Sequence, residues 1–157
     1  RAATLLEELC GKEGIPVFVN DRPDVALAAG VAGVHVGAED LPPRLARQIV
    51  GPLGLGVSAR TRDRVREGEE ARADYLGVGA LRSSRSKADA RVIGLEGIAA
   101  VAAATEVPVV AIGGVRPGDA PALRRSGAAG LAVLSGIMDA ADPEEAARLY
   151  SVAWARG

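Results

Sequence analysis

Two carboxylates each close a segment that begins with a short apolar run. Asp21 ends PVFVND (residues 16 to 21) and Asp40 ends GVHVGAED (33 to 40). If both runs are parallel strands, the acids converge at the carboxyl edge of one sheet. That is where α/β proteins place their chemistry, and where paired carboxylate oxygens suit a hard cation such as Mg²⁺. Later in the chain, AIGGVRPGD (111 to 119) offers Gly113 and Gly114, and LSGIMD (134 to 139) offers Ser135 and Gly136. Backbone N–H groups exposed by such small residues, ahead of a helix, favour an anion. RSSRSK (82 to 87) adds the hydroxyls of Ser84 and Ser86 and the cation of Lys87, donors a phosphate needs. The pattern points to a metal at one side and a phosphate at the other.

Each of these residues has a purely structural reading. Asp is a preferred helix cap, so Asp21 could serve the helix that follows Pro23 and Asp40 the helix from Pro42. Gly113 and Gly114 could serve only a tight turn, and residues 82 to 87 could be a solvated loop. His35, the only histidine, lies mid-strand in GVHVG, where a packed or hydrogen-bonded role is favoured over catalysis. The charged clusters over 60–72 and 142–150 read as outer helical faces, with Trp154 packing the last helix inward.

The elements that must position these groups follow from periodicity. Apolar runs of strand length alternate with alanine-, arginine- and glutamate-rich segments of helical period, the pattern of a parallel sheet with helices outside it. Strands are expected over 16–19, 33–36, 55–58, 75–78, 107–112 and 130–134. Helices are expected over 1–11, 23–29, 42–50, 61–71, 95–104, 117–126 and 143–155. Prolines 43, 117 and 143 suit first helical turns, and glycines 11, 30 and 127 suit helix ends. A weak repeat runs through GVAGVHVG (30 to 37), ARADYLGVG (71 to 79) and GAAGLAVLSG (127 to 136): small residues, an apolar strand, then glycine. With no composition shift or linker, residues 1–157 read as one closed or nearly closed barrel. A doubly wound open sheet would want one early glycine fingerprint, whereas here the functional-looking residues are spread over every strand end.

Composition narrows the function. A chain of 157 residues, 48% hydrophobic and 25% charged, can bury a real core. Its 19 basic and 20 acidic residues are interspersed and only 3% of residues are aromatic, so no basic stripe or stacking platform points to nucleic acid. Cys10 is alone, which excludes an intramolecular disulfide and fits a reducing cytoplasm. The apolar runs IAAVAAA (98 to 104) and VPVVAI (107 to 112) are far short of a bilayer span, and the first residues lack a signal-peptide pattern. A cytoplasmic protein acting on small molecules, without nucleic acid or membrane and compatible with a homo-oligomer, is expected.

Four segments together carry a resemblance: NDRPDVALAAGVAGVHVGAEDLP (20 to 42), GVSART (56 to 61), YLGVGALRSSRSKADA (75 to 90) and PVVAIGGVRPGDAPALRRSGAAGLAVLSGI (108 to 137). The chain resembles thiamine phosphate synthase and its relatives the thiazole tautomerases over essentially its whole length. The NDR, HxGxED and AIGG segments, in this order and spacing, make the likeness specific to that superfamily. It implies a (β/α)8 TIM barrel, of which about six β/α units are present here. It also implies a transferase that couples 4-amino-2-methyl-5-pyrimidinylmethyl diphosphate to a thiazole phosphate, giving thiamine phosphate and pyrophosphate with Mg²⁺ as cofactor.

Residue by residue, the resemblance implies that Asn20 contacts the pyrophosphate or pyrimidine end and that Asp21 binds Mg²⁺. Asp40, the last acid of the HLGQED-type segment, is the second metal ligand. Ser58 of GVS lies against the reacting pyrimidine, and Lys87 closes a PTxTK-type loop that grips the pyrophosphate. Ser84 and Ser86 stand where that loop carries two threonines. Gly113 and Gly114 match the AIGG turn, and Ser135 with Gly136 a VSA-type turn, where backbone N–H groups hold phosphate.

The departures are as informative. The family begins with a strand, a helix and a second strand ending in an arginine and lysine pair. This chain starts inside the following helix, so the first two strands are expected to belong to a longer protein. Ala38 replaces the usual glutamine, and ALRSS replaces PIFPT in the loop. Tautomerases carry a catalytic histidine where this chain has Ala80, which argues against that activity. A non-catalytic phosphate-ligand binder regulating thiamine metabolism is the remaining alternative.

Overall fold

The computed structural model describes residues 1–83 and 91–157, so Ser84, Ser86 and Lys87 lie outside the described residues. Strand and helix alternate: α1 (Ala2–Cys10), β1 (Phe18–Asn20), α2 (Pro23–Ala29), β2 (Gly33–Val36), α3 (Pro43–Val50), β3 (Gly54–Ser58), α4 (Arg62–Glu70), β4 (Tyr75–Val78), α5 (Gly94–Ala102), β5 (Val109–Ile112), α6 (Ala120–Arg125), β6 (Gly130–Ala132), α7 (Ser135–Met138) and α8 (Pro143–Arg156). Sequential strands are neighbours: β1 lies beside β2, β2 beside β3, and β5 beside β6, each pair in parallel. This is the repeating unit of the β/α barrel class, as the sequence led one to expect.

The chain divides into two compact units, Arg1–Leu76 and Gly77–Gly157. In the first, side chains alternate across the strands with period two. Val34, Val36, Leu55, Val57 and Leu76 are fully buried. A methyl group added at Gly68 of α4 would come 2.7 Å from Leu76 and 3.8 Å from Val57, so this face packs on the helices. Burial of each such side chain is worth about 1.5–3 kcal/mol. The opposite face carries Phe18, His35 and Tyr75 over glycines of β2 and β3, with the Phe18 and Tyr75 rings edge to face at 5.7 Å.

In the second unit, Val109 and Ala111 of β5 are buried with Ile98 of α5 and Ala120 and Leu123 of α6. Arg124 of α6 donates to the Trp154 carbonyl at 2.9 Å, and its guanidinium lies 5.7 Å from the centre of that indole. This contact ties the half-buried Trp154 and α8 to α6. Asp142 caps α8 by accepting from the Glu145 N–H at 3.0 Å.

Differences from expectation have local causes. β1 begins two residues late because Pro16 has no N–H for a ladder. The helix expected over 117–126 starts as a 3-10 turn, Pro117–Asp119, before α6. Pro121 lacks the N–H that would donate to residue 117. Residues 135–138, expected as a turn, form the single helical turn α7.

Candidate active site

Asn20 is the last residue of β1 and sits in register with His35 of β2. Its carbonyl accepts from the Arg22 N–H at 2.8 Å, and the Asp21 N–H donates to the His35 carbonyl at 2.8 Å. These two bonds hold a sharp corner in which Asp21 takes φ 64°, a left-handed conformation uncommon outside glycine and enriched in Asp and Asn. The capping position of α2 falls at Arg22, one residue past Asp21, and the Arg22 side chain makes no cap bond. Arg22 instead pairs with Asp24 at 2.8 and 2.6 Å. That hydrogen bond from the guanidinium holds the Asp24 carboxyl at about 2.

Asp40 likewise lies outside the capping position of its helix. The residue before α3 is Pro42, again with no side-chain cap bond. Asp40 folds back so that Oδ2 accepts from the Gly37 N–H at 2.7 Å. A methyl group at Gly37 would stand 2.6 Å from that oxygen and 4.0 Å from Asp21 Oδ1. The carboxylates of Asp21 and Asp40 therefore converge on one corner of the β2 edge. Among the described residues no third His, Cys, Asp or Glu joins them. Two carboxylates with the remaining positions left to substrate oxygens and water are a donor set that fits Mg²⁺.

Arg64 was read from the sequence as part of an outer charged face, and the structure corrects this. Its guanidinium points inward and donates to the Gly37 carbonyl at 2.6 Å and to Glu67 at 2.7 Å. Thr61 caps α4 through a bond from the Arg64 N–H at 3.3 Å, which fixes where the helix starts and so where Arg64 projects. The GVSART segment held this signal: a strand, then a Thr cap, then a basic residue three positions on.

Ser58 ends β3, half-buried. Its Oγ lies 2.9 Å from His35 Nε2, while His35 Nδ1 lies 3.0 Å from the Tyr75 hydroxyl. The imidazole and phenol rings are stacked with centres 5.5 Å apart. Burial pushes the Tyr75 phenol above its ordinary range. The hydrogen-bonded role expected for His35 holds, and its partners are now named.

In the second unit, Gly113 and Gly114 follow β5 with φ 88° and 67°. Left-handed backbone at two successive positions demands glycine. The segment beside them reinforces this, since an added methyl at Gly114 would lie 2.9 Å from Arg82 Cβ. The Arg82 N–H donates to the Gly113 carbonyl at 3.0 Å. The Arg82 side chain reaches Gly114 O at 3.3 Å and forms a two-pronged pair with Asp119, one prong at 2.7 Å. Ile112 is in register with Ala132, so Gly113, Gly114 and the Ser135–Gly136 start of α7 follow the same ends of neighbouring strands. Ala80, where a tautomerase histidine would stand, is a buried residue whose carbonyl accepts from the Ile93 N–H at 2.9 Å.

The thiamine monophosphate synthase family model matches residues 1–137. The chain belongs to this family. Thiamine-phosphate synthase from Caldivirga maquilingensis is 43% identical over 149 residues, which is 95% of this chain and 73% of that protein. The Moorella thermoacetica thiamine-phosphate synthase is 47% identical over 145 residues, 91% of this chain and 69% of the relative. Among solved structures, thiamine phosphate pyrophosphorylase from Pyrococcus furiosus is similar with a TM-score of 0.91 at 36% identity, covering 99% of this chain and 75% of that one. The family is one of transferases on a barrel scaffold, and this chain is a transferase of the thiamine phosphate synthase type.

Proposed function

We propose that the chain joins 4-amino-2-methyl-5-pyrimidinylmethyl diphosphate to a thiazole phosphate in the cytoplasm, with these two small molecules as its partners. The C–O bond between the pyrimidine methylene and pyrophosphate breaks, its electron pair leaving with pyrophosphate. The thiazole nitrogen then forms the new C–N bond to the methylene. The observation that carries this is the convergence of Asp21 and Asp40 on Gly37.

Asp21 and Asp40 are assigned to hold Mg²⁺, which when bound offsets the negative charge gathering on the departing pyrophosphate. Asn20, at the end of β1, orients that same end of the substrate. Ser58 faces the pyrimidine, whose electron-rich ring spreads the positive charge left on the methylene. Lys87, with Ser84 and Ser86, is assigned from the sequence alone to the phosphate groups. Gly113, Gly114, Ser135 and Gly136 present backbone donors to the thiazole phosphate. Little proton transfer is needed, so positioning and charge stabilisation carry the rate.

The test is to supply both substrates with Mg²⁺ and measure pyrophosphate and thiamine phosphate together. Equal release of the two, stopped by a chelator and restored by Mg²⁺, is expected. Binding of the phosphorylated thiazole with no pyrophosphate released would overturn the reading in favour of a non-catalytic binder.

A further inference from the structure

β2, β3 and β4 set His35, Ser58 and Tyr75 on one face, and the imidazole bridges the other two through both ring nitrogens, 2.9 Å to Ser58 and 3.0 Å to Tyr75. None of the roles assigned above uses His35 or Tyr75, yet the packing is arranged for them. A methyl group at Gly56 would come 2.6 Å from His35 Nδ1 and would collide with the Tyr75 phenol. The Phe18 ring packs edge to face with Tyr75 at 5.7 Å.

A neutral imidazole has one N–H and one bare nitrogen, so the two hydrogen bonds must run in the same direction. Either Tyr75 donates to Nδ1 and Nε2–H donates to Ser58, or Ser58 donates to Nε2 and Nδ1–H donates to Tyr75. A phenol is a stronger donor than an aliphatic hydroxyl, because its O–H is the more acidic. It is also the weaker acceptor, because its oxygen lone pair is drawn into the ring. The first direction wins on both counts. It leaves the Ser58 oxygen already accepting one bond and its hydrogen free to be given away.

We infer that Tyr75 locks His35 in the Nε2–H tautomer, and that His35 thereby presents the Ser58 hydroxyl to the substrate as a hydrogen-bond donor. Such a donor matches a ring nitrogen of the pyrimidine rather than its exocyclic amine. His35 and Tyr75 are thus positioning residues, acting through Ser58 to set which edge of the aminopyrimidine is accepted. The inference rests on the assignment of Ser58 to the pyrimidine.

The experiment has a spectroscopic and a kinetic arm. Protein labelled with nitrogen-15 at histidine is observed by NMR well above the usual imidazole titration range, the His35 signals being assigned by their loss in His35→Gln. The Nε2–H pattern is expected, relaxing to a mixture of tautomers in Tyr75→Phe, which keeps the ring but loses the hydroxyl. In turnover, Tyr75→Phe is expected to raise KM for the pyrimidine diphosphate about three- to tenfold while leaving KM for the thiazole phosphate unchanged. His35→Gln, whose amide can still donate to Ser58, should recover activity lost in His35→Leu. An Nδ1–H tautomer in the unaltered protein overturns the inference whatever the kinetics. An Nε2–H tautomer combined with an unchanged pyrimidine KM in Ser58→Ala leaves the hydrogen-bond chain standing and overturns the assignment of Ser58 to the pyrimidine.

Discussion

Arg64 Nη2 donates to the carbonyl of Gly37 at 2.6 Å, so a side chain from α4 holds the corner that follows β2. The N–H of the same glycine is bound by Asp40 at 2.7 Å. One residue is thus gripped at both its polar groups, by a cation on one side and a carboxylate on the other. The candidate metal ligand is set in place by the glycine it folds back upon, and that glycine by Arg64.

Arg64→Ala should therefore weaken the metal corner without touching a ligand. Lost hydrogen bonds from a charged, mostly buried group cost about 1.5–3 kcal/mol each where nothing replaces them. Thermal unfolding should fall by several degrees, and the Mg²⁺ concentration for half-maximal activity should rise several-fold. A variant unchanged in both would mean that Asp40 is positioned by other means.

Asp119 gives a pH dependence of known sign. The hydrogen bond from Arg82, then the Arg116 N–H, hold its carboxyl below the ordinary range. A carboxyl whose folded value lies below its unfolded value stabilises above the unfolded value, and that contribution is lost as pH falls through the folded one. Asp119→Asn should thus lower the melting temperature at neutral pH by at most about 4 °C, as befits a partly exposed pair. The gap between the two proteins should close below about pH 4. A gap that persists in strong acid would exclude the ion pair as its cause.

Gly114→Ala tests the turn after β5. Left-handed backbone costs a residue with a side chain about 1–2 kcal/mol, and the new methyl would press on Arg82. Chemical denaturation should show a loss of at least that size. A neutral substitution would show that the turn relaxes freely and that its glycine serves the ligand alone.

Periodicity was sufficient to place β2 and β4 residue for residue, and to bring Asp21 and Asp40 to the ends of neighbouring strands. Local chemistry explains where it was insufficient. Pro16 and Pro108 are apolar but cannot donate, so β1 and β5 start after them. α7 is one turn long, too short for any helical period to register. Arg64 looked like its neighbours in a charged helix, and only its inward direction distinguishes it. The partnership of His35 with Tyr75 spans forty residues of chain, a distance no local pattern encodes. Sequence spacing also could not place the capping positions of α2 and α3, which fall at Arg22 and Pro42 rather than at Asp21 and Asp40.

The most direct measurement is Mg²⁺-dependent pyrophosphate release by Asp21→Asn. Asparagine tolerates the left-handed backbone at this position at least as well as aspartate, so the corner is kept while the charge is removed. The expected result is a circular dichroism spectrum and melting temperature close to those of the unaltered protein, with turnover lower by at least about a hundredfold at saturating Mg²⁺. Near-normal turnover in a folded Asp21→Asn protein would contradict it.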